Sequence, residues 1–573
     1  MLPDSSKQWI IVHEGRRIKT LIGKELGNSF ANFIKRFEIA RMMNFLILYI
    51  SPFLRHGSKV GFLMARVTGN GGFPSLLIML RVFCAGCVLL CANEASSGPF
   101  AEPGDPFLRH DLQLLRDAGV IESSISTWPL SMGGIHSALH DAELPDDSSY
   151  INRLALERMK LLLDLEKQPG WSPTSVRVSV RSESPLLRSF LNTPREKQEA
   201  MVTTSWLGDR YAGRLNVSGG FDRVTDWRGR TDDALRFDGS YLAARLGNYS
   251  LSLDQLDRWW GPGWDGSLIL SNNARPVPAL TVQRRVPQPF EGPCLGWLGP
   301  WNTTTFMGRM EDERTGYPRP WLFGSRVDFA PIIVPGLEIG LSRTIQWGGQ
   351  GRPNGVDTFV DALLSQDNVT PGSVAAAEEP GNQLAGVDLR YRLPGKTPVA
   401  FYGQWIGEDE DKFLPNAIMN LYGLEIWGAM EGGSWRAFFE RVDTSVWWWT
   451  DEARTKNIAY NHHLYSDGYR HRGRTLGHAA DTDSKLTSLG FICASDAGRG
   501  YGLVLREGIL NSDDSGNSSV SNGKATDLVS VDLFTRWDAD FGRITLGLGW
   551  EDLESSTGTE TEFTGFIRLN RSF

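Results

Sequence analysis

In VDLRYRLP (387–394), Val387, Leu389, Tyr391 and Leu393 alternate with Asp388, Arg390 and Arg392. GRITLGLGWED (542–552) places Ile544, Leu546, Leu548 and Trp550 against Thr545, Gly547 and Gly549, and LVSVDLFTRWD (528–538) and PVAFYGQWIGE (398–408) repeat the pattern. A period of two sends successive side chains to opposite faces of a strand. Here one face is apolar and the other carries Arg, Asp or Glu. A soluble sandwich also alternates, but it needs strongly apolar central strands, and no such set is present. An apolar outside and a wet inside describe a transmembrane antiparallel β-barrel.

From about residue 175 onward the sequence holds roughly 16 to 20 such segments, and a bacterial barrel of one chain is expected to use an even number. TGFIRLNRSF ends the chain with Gly565, Ile567 and Leu569 on the same face as Phe573, as bacterial outer-membrane barrels usually end. Trp405, Trp427, Trp435, Trp447 to Trp449, Trp537 and Trp550 fall near strand ends, where an interfacial belt places indoles. Composition agrees: apolar residues make up 41%, too few for a helical membrane bundle, while 62 Gly and 20 Trp suit a turn-rich β protein.

Charge divides the chain. Residues 1–78 hold 11 Lys/Arg and 4 Asp/Glu; against a net charge of −8 the remaining 495 residues therefore carry −15. That balance, with no Lys/Arg-rich block, excludes nucleic acid as the main partner. MLRVFCAGCVLLCANEASSGPF starts at Met79 with a basic residue, an apolar run (Val82–Ala92) and small residues at Ala95-Ser96-Ser97, the layout of a secretory signal peptide. The expected organisation is an over-extended upstream segment (1–78), a signal peptide (79–95), a helical unit (96–170), and an outer-membrane barrel (171–573). Within the helical unit, Asp105-Pro106 opens one helix, SSYINRLALERMKLLLDLEK (148–167) forms an amphipathic second, and a loop with a short helix lies between. Cys294 and Cys493 remain after the signal, and 198 intervening residues leave their pairing open.

Catalytic signatures are missing: there is no phosphate-binding G-x-x-x-x-G-K-[ST], no H-E-x-x-H and no G-x-S-x-G. NHHLYSDGYRHRGRTLGHAADTDS (461–484) holds His462, His463, His471 and His478, but their spacing is no zinc pattern. The reading is no catalysis, no cofactor and no metal.

DRWWGPGWDGSLILSNNARPVP (257–278) sets three indoles among glycines and follows them with amides. A pyranose ring has an apolar C–H face and a hydroxyl rim, so it is held by a flat aromatic beside amides and charges. Arg258, Trp259, Trp260, Trp264, Asp265, Asn272, Asn273 and Arg275 are the candidates here, with Asp254 and Asp257 as further acceptors. Arginines would also suit uronic acid carboxylates. Tyr465, Asp467, Tyr469, Arg470, Arg472 and His478 are the candidates in the second stretch. The first half of 257–278 does not alternate, which moves its indoles off the lipid face and toward a loop or the lumen.

These two stretches, with FLRHDLQLLRDAGVI (107–121), STWPLS (126–131) and the terminal Phe573, resemble the Wzi capsule-assembly family over about 96–573. The resemblance implies an 18-stranded outer-membrane barrel with a helical bundle at its periplasmic end. It implies a lectin that helps attach capsular or exopolysaccharide to the cell surface. Partners would be that polymer, outer-membrane lipid and the polysaccharide export machinery. A porin or saccharide channel is the alternative, and a lipid- or glycan-modifying enzyme using His471 or His478 a third reading. SQDNVTPGSVAAAEEPGNQ (365–383) and PFEGPCLGWLGPWNTTT (289–305) read as outward-facing loops.

Overall fold

The computed structural model describes residues 98–573 apart from 147, 167–168, 222, 224, 364–380, 412–413, 448–455 and 522. The chain divides into Met1–Gly86 and Cys87–Phe573, and all described residues belong to the second unit. The upstream segment, the signal peptide, Trp448, Trp449 and most of 365–383 lie outside the described residues.

Eighteen strands close into an antiparallel barrel, joined by two-residue strands at Gly170–Trp171 and Leu235–Arg236. In chain order they are β1 (Ser175–Arg181), β2 (Gln198–Leu207), β3 (Tyr211–Phe221), β4 (Tyr241–Leu246), β5 (Tyr249–Asp254) and β6 (Ala279–Arg284). Next come β7 (Trp301–Arg309), β8 (Trp321–Phe329), β9 (Leu337–Trp347), β10 (Gly381–Arg392), β11 (Val399–Asp411) and β12 (Leu414–Met430). The last six are β13 (Gly433–Trp447), β14 (Lys485–Ser495), β15 (Gly500–Leu510), β16 (Thr526–Ala539), β17 (Gly542–Ser555) and β18 (Gly558–Ser572). The seam pairs β18 with β1 from Phe566↔Arg181 to Ser572↔Ser175, and the Phe573 N–H donates to the Thr174 carbonyl at 2.9 Å.

The alternation has the expected sense. On β8, Arg326 and Asp328 are buried in the lumen while Val327 between them is exposed outside. Val202, Leu242, Leu341, Leu548 and Phe563 belong to the same outer apolar surface. Among the described residues no helix is long and apolar enough to cross a membrane, so strands make the crossing. Trp427 departs from the expected belt. It shares its face with Glu425, points inward, and lies 4.7 Å beneath the Arg436 guanidinium.

At one end the connections are mostly short, such as 208–210, 247–248, 431–432 and 540–541. The other end carries 182–197, 222–240, 255–278 and 448–484. In outer-membrane barrels the short turns face the periplasm. Strand direction places 285–300 at the short-turn end, and Trp301 to Thr305 begin β7. The reading of 289–305 as an outward-facing loop is thereby corrected. Cys294 and Cys493 are both free thiols.

Ahead of the barrel come α1 (Pro106–Asp117), α2 (Met132–Leu139) and α3 (Tyr150–Glu166). Asp105 caps α1 by accepting the N–H groups of Phe107 (3.0 Å) and Leu108 (3.1 Å), with Pro106 in the first turn. Leu112, Leu115, Leu139, Ile151 and Met159 form a common core for the three helices. Yet Arg109, His110, Gln113 and Asp117 on α1 are buried as well, because α1 lies against the polar lumenal wall. Arg390 donates to Asp117 (2.8 Å), and Arg436 to Asp117 (3.4 Å) and to Glu425 (2.6 Å). Such buried charges are tolerable only when each finds a partner.

Candidate functional site

The segment 255–278 runs inward from the long-loop end and meets α1 inside the barrel. Arg109 on α1 donates to the carbonyls of Pro262 (2.7 Å) and Gly263 (2.8 Å), and its guanidinium lies 4.2 Å over the Trp264 ring. Trp264 donates through Nε1 to Glu425 (2.8 Å), and its N–H and that of Gly266 donate to Glu440 (2.7 and 2.9 Å). Asp265 accepts from Arg506 (2.7 Å) and from the Ser488 hydroxyl (2.6 Å). The glycines follow from this crowding. Gly261 sits at φ +146, and a Cβ on Gly266 would lie 2.0 Å from the His478 ring.

The indoles therefore do not form an exposed platform. Trp259, Trp260 and Trp264 are at most 3% exposed. Trp259 pairs with Trp128 in a two-residue ribbon, and Phe190 packs edge-on to both at 5.1 and 5.3 Å. Of the two placements the sequence left open, loop or lumen, the lumen holds them: α1 from one end and 255–278 from the other cover the rings inside the barrel.

The other candidates divide between this interior and an open cavity. Arg258 is buried, 2.8 Å from Asp254 and 4.3 Å over Phe306. Asn272 donates to the Phe190 carbonyl (3.0 Å), Tyr465 to that of Gly348 (3.0 Å), and Tyr469 stacks on Tyr460. Arg470 pairs with Asp481 at 2.6 Å. His478 packs beside Gly266, His471 pairs with Glu311, and His462 stacks on His463. Asn273, Arg275 and Arg472 instead line a cavity of about 240 Å³ at the long-loop end, and Asp467 braces its edge.

That cavity brings together six separate strand connections. Trp227 stands on the β3–β4 connection, whose turn is built by Asp226: its carboxylate accepts the N–H groups of Arg228 (2.9 Å) and Arg230 (2.8 Å). Arg228 and Arg230 then reach Asp467 at 3.0 and 2.7 Å, tying 222–240 to 448–484. Arg275 forks onto Asp238 with two bonds of 2.8 Å, and Arg472 reaches Asp233 at 2.9 Å. Arg195 clasps the inserted segment by donating to the carbonyls of Asn272, Asn273 and Ala274 (2.9–3.1 Å).

Two guanidiniums on this wall have no carboxylate in ion-pair range among the described residues. Arg188 donates to Thr193 O (2.8 Å) and Asn192 Oδ1 (3.3 Å), and Arg474 to Pro185 O (3.1 Å) and Asn273 Oδ1 (3.2 Å). Burial, reinforced by neighbouring Arg195 and Arg474, pushes Arg188 well below the usual arginine range, and burial beside Arg195 brings Arg474 down to about 10. Burial opposes charge on Arg275 too, but Asp238 and Asp232 outweigh it and hold that guanidinium above its ordinary value. The cavity thus joins an indole, whose buried Nε1 has no protein partner among the described residues, to two cations that lack an ion pair. An anion with an apolar face would satisfy both. Of these residues, Arg188, Arg195, Trp227, Arg230 and Arg474 escaped the sequence reading. DWRGRTDD (226–233), an indole beside two arginines in a turn, was the available signal.

Comparison with known proteins places this geometry in context. The family described as "Capsule assembly protein Wzi" matches residues 167–564. An uncharacterized 55.8 kDa protein in the cps region of Klebsiella pneumoniae is 35% identical over 325 residues, 56% of this chain and 60% of that protein. This chain thus spans less than two thirds of that relative's length. A solved structure covers 83% of this chain and all of its own, with 28% identity and a TM-score of 0.71. It is Wzi of Escherichia coli, described as an outer-membrane protein involved in Group 1 capsule assembly and a carbohydrate-binding β-barrel.

Proposed function

The chain belongs to the Wzi capsule-assembly family, and from that premise we propose that it is a lectin for an acidic capsular or exopolysaccharide. It is an outer-membrane β-barrel. The polymer is held at the long-loop face and is not chemically changed. The observation that carries this reading is the cavity where Trp227 meets Arg188 and Arg474, neither of which has a carboxylate partner. The Trp227 indole, over which the Arg228 guanidinium lies at 4.3 Å, brings an aromatic surface to a sugar ring, and a guanidinium fork matches a uronate carboxylate. Support also comes from the filled lumen, which leaves the barrel as a scaffold for loops and argues against a channel. Outer-membrane lipid surrounds the apolar band, and the helical unit offers the export machinery a periplasmic surface.

The test pairs capsule retention with direct binding. Trp227→Ala and Arg474→Gln each lower affinity for the acidic polymer about tenfold, the scale of one lost stacking or charge-assisted contact. In cells the same variants shed polymer into the medium while its synthesis continues. Unchanged affinity and unchanged surface polymer in the double variant would sink the proposal.

A further inference from the structure

A second cavity, of about 300 Å³, lies between the start of the helical unit and the lumenal wall at the barrel seam. Its volume is at the lower end of small-molecule sites, roughly 300–1,000 Å³. Glu102 and Asp105 stand on the helical unit's side, and Arg177 (β1), Arg568 (β18) and Arg536 (β16) on the wall. Asp105 and Arg543 are about a third exposed, so the cavity meets the short-turn end of the barrel.

The charges in it do not balance. Each carboxylate is already engaged: Glu102 by Arg214, Asp105 by Arg536, Glu199 by Arg236 (3.2 Å), Asp238 by Arg275 (2.8 Å) and Asp257 by Arg195 (3.3 Å). Arg177 and Arg568 are left over. Arg568 donates to the Asn192 carbonyl (2.8 Å) and Arg177 reaches only the Met201 sulfur (3.7 Å). Across the seam Arg177 faces Asn570 and Arg568 faces Ser179, so the two guanidiniums are diagonal neighbours on one inward face. Arg177 Nε, Arg568 Nε, Arg536 Nε and Asn570 Oδ1 are buried without a protein hydrogen-bond partner. Two adjacent cations with spare donors, and no carboxylate in ion-pair range among the described residues, are a costly arrangement unless an anion joins them.

We propose that this cavity is a second glycan site, on the periplasmic side, which takes a carboxylate-bearing saccharide unit between Arg177 and Arg568. The spare Nε donors and the fork geometry suit a carboxylate, and Asn570 adds an acceptor for a sugar hydroxyl. The site shares no recognition element with Trp227 and Arg474, so it stands or falls separately from the outer one.

The experiment is titration calorimetry on the purified full chain in detergent with trigalacturonate, maltotriose and inorganic phosphate as probes. Wild type binds two equivalents of trigalacturonate. Arg177→Gln/Arg568→Gln retains one, and the outer-site variant Trp227→Ala/Arg474→Gln retains the other, with the inner affinity unchanged. Arg568→Lys, which keeps the charge but loses the fork, weakens the inner site about tenfold and serves if the double variant does not fold. An unchanged stoichiometry in Arg177→Gln/Arg568→Gln overturns the second site, as does unchanged inner affinity in Arg568→Lys. Phosphate binding as tightly as trigalacturonate overturns its assignment to a glycan. Loss of binding in the outer-site variant alone speaks only to the outer cavity.

Discussion

Asp265→Asn tests whether the inserted segment is held in the lumen by electrostatics rather than by its apolar contacts. Asp265 is 3% exposed and its two oxygens take three bonds from Arg506 (2.7–3.0 Å) and one from Ser488 (2.6 Å). The amide keeps the shape but removes the charge and turns an N–H₂ toward guanidinium donors. Breaking a buried pair from one side costs about 3–5 kcal/mol. Arg506 keeps Asp532 as a partner, so the low end, about 3 kcal/mol, applies. That loss falls on local opening of 255–278, because the strands keep their ladder bonds. At about 1.4 kcal/mol per decade it raises the open population roughly 100-fold. Amide hydrogen exchange in detergent reads it directly. The N–H groups of Trp264, Gly266 and Leu268, which donate to Glu440 and Gln404, exchange about 100-fold faster, while β14 and β15 barely change. Asp265→Asn/Arg506→Gln recovers part of the protection, since the fully buried guanidinium is gone and the charge left over, on Asp532, is a quarter exposed. Exchange within about threefold of wild type would refute the reasoning and leave the apolar contacts of Trp260 and Trp264 as the holding force.

Two further outcomes follow from the same packing. Phe190→Ala removes the ring wedged between Trp128, Trp259 and the Arg109 guanidinium (4.6 Å) and destabilises the protein by about 3–5 kcal/mol; a thermal-melt change under 1 kcal/mol would show that the site collapses onto the gap. In planar bilayers the wild-type protein stays electrically silent, because α1 and 255–278 meet inside the barrel; steady porin-sized conductance would revive the channel reading.

How much was legible depends on whether a signal was local. The alternation in VDLRYRLP is written along each strand, and Arg390 duly points inward with Asp388 while Val387 and Leu389 lie on the other face. The Asp105-Pro106 helix start is equally local, being a cap made within three residues. The broken alternation of 257–278 took its indoles off the lipid face, but their burial was not legible, because what covers Trp264 is Arg109, 155 residues upstream, and Phe438, far downstream. Trp427 was assigned to the belt because its position near a strand end looks the same from either face. The outer cavity was mostly missed, since its residues come from six loops and none is distinctive alone.

The sequence by itself determined a chain of strands with one greasy and one charged face, preceded by helices and ended by an aromatic. That follows because side-chain alternation is a property of consecutive residues, and only a closed barrel in lipid satisfies both faces. Tertiary structure decided which charges were left without partners. Most buried arginines, such as Arg326 on Asp388, are neutralised across the lumen by residues distant in the chain. Arg188 and Arg474 at one end, and Arg177 and Arg568 at the other, are not, and no local pattern separates the two kinds. Charge compensation is a matter of proximity in space, and only the folded barrel sets those distances.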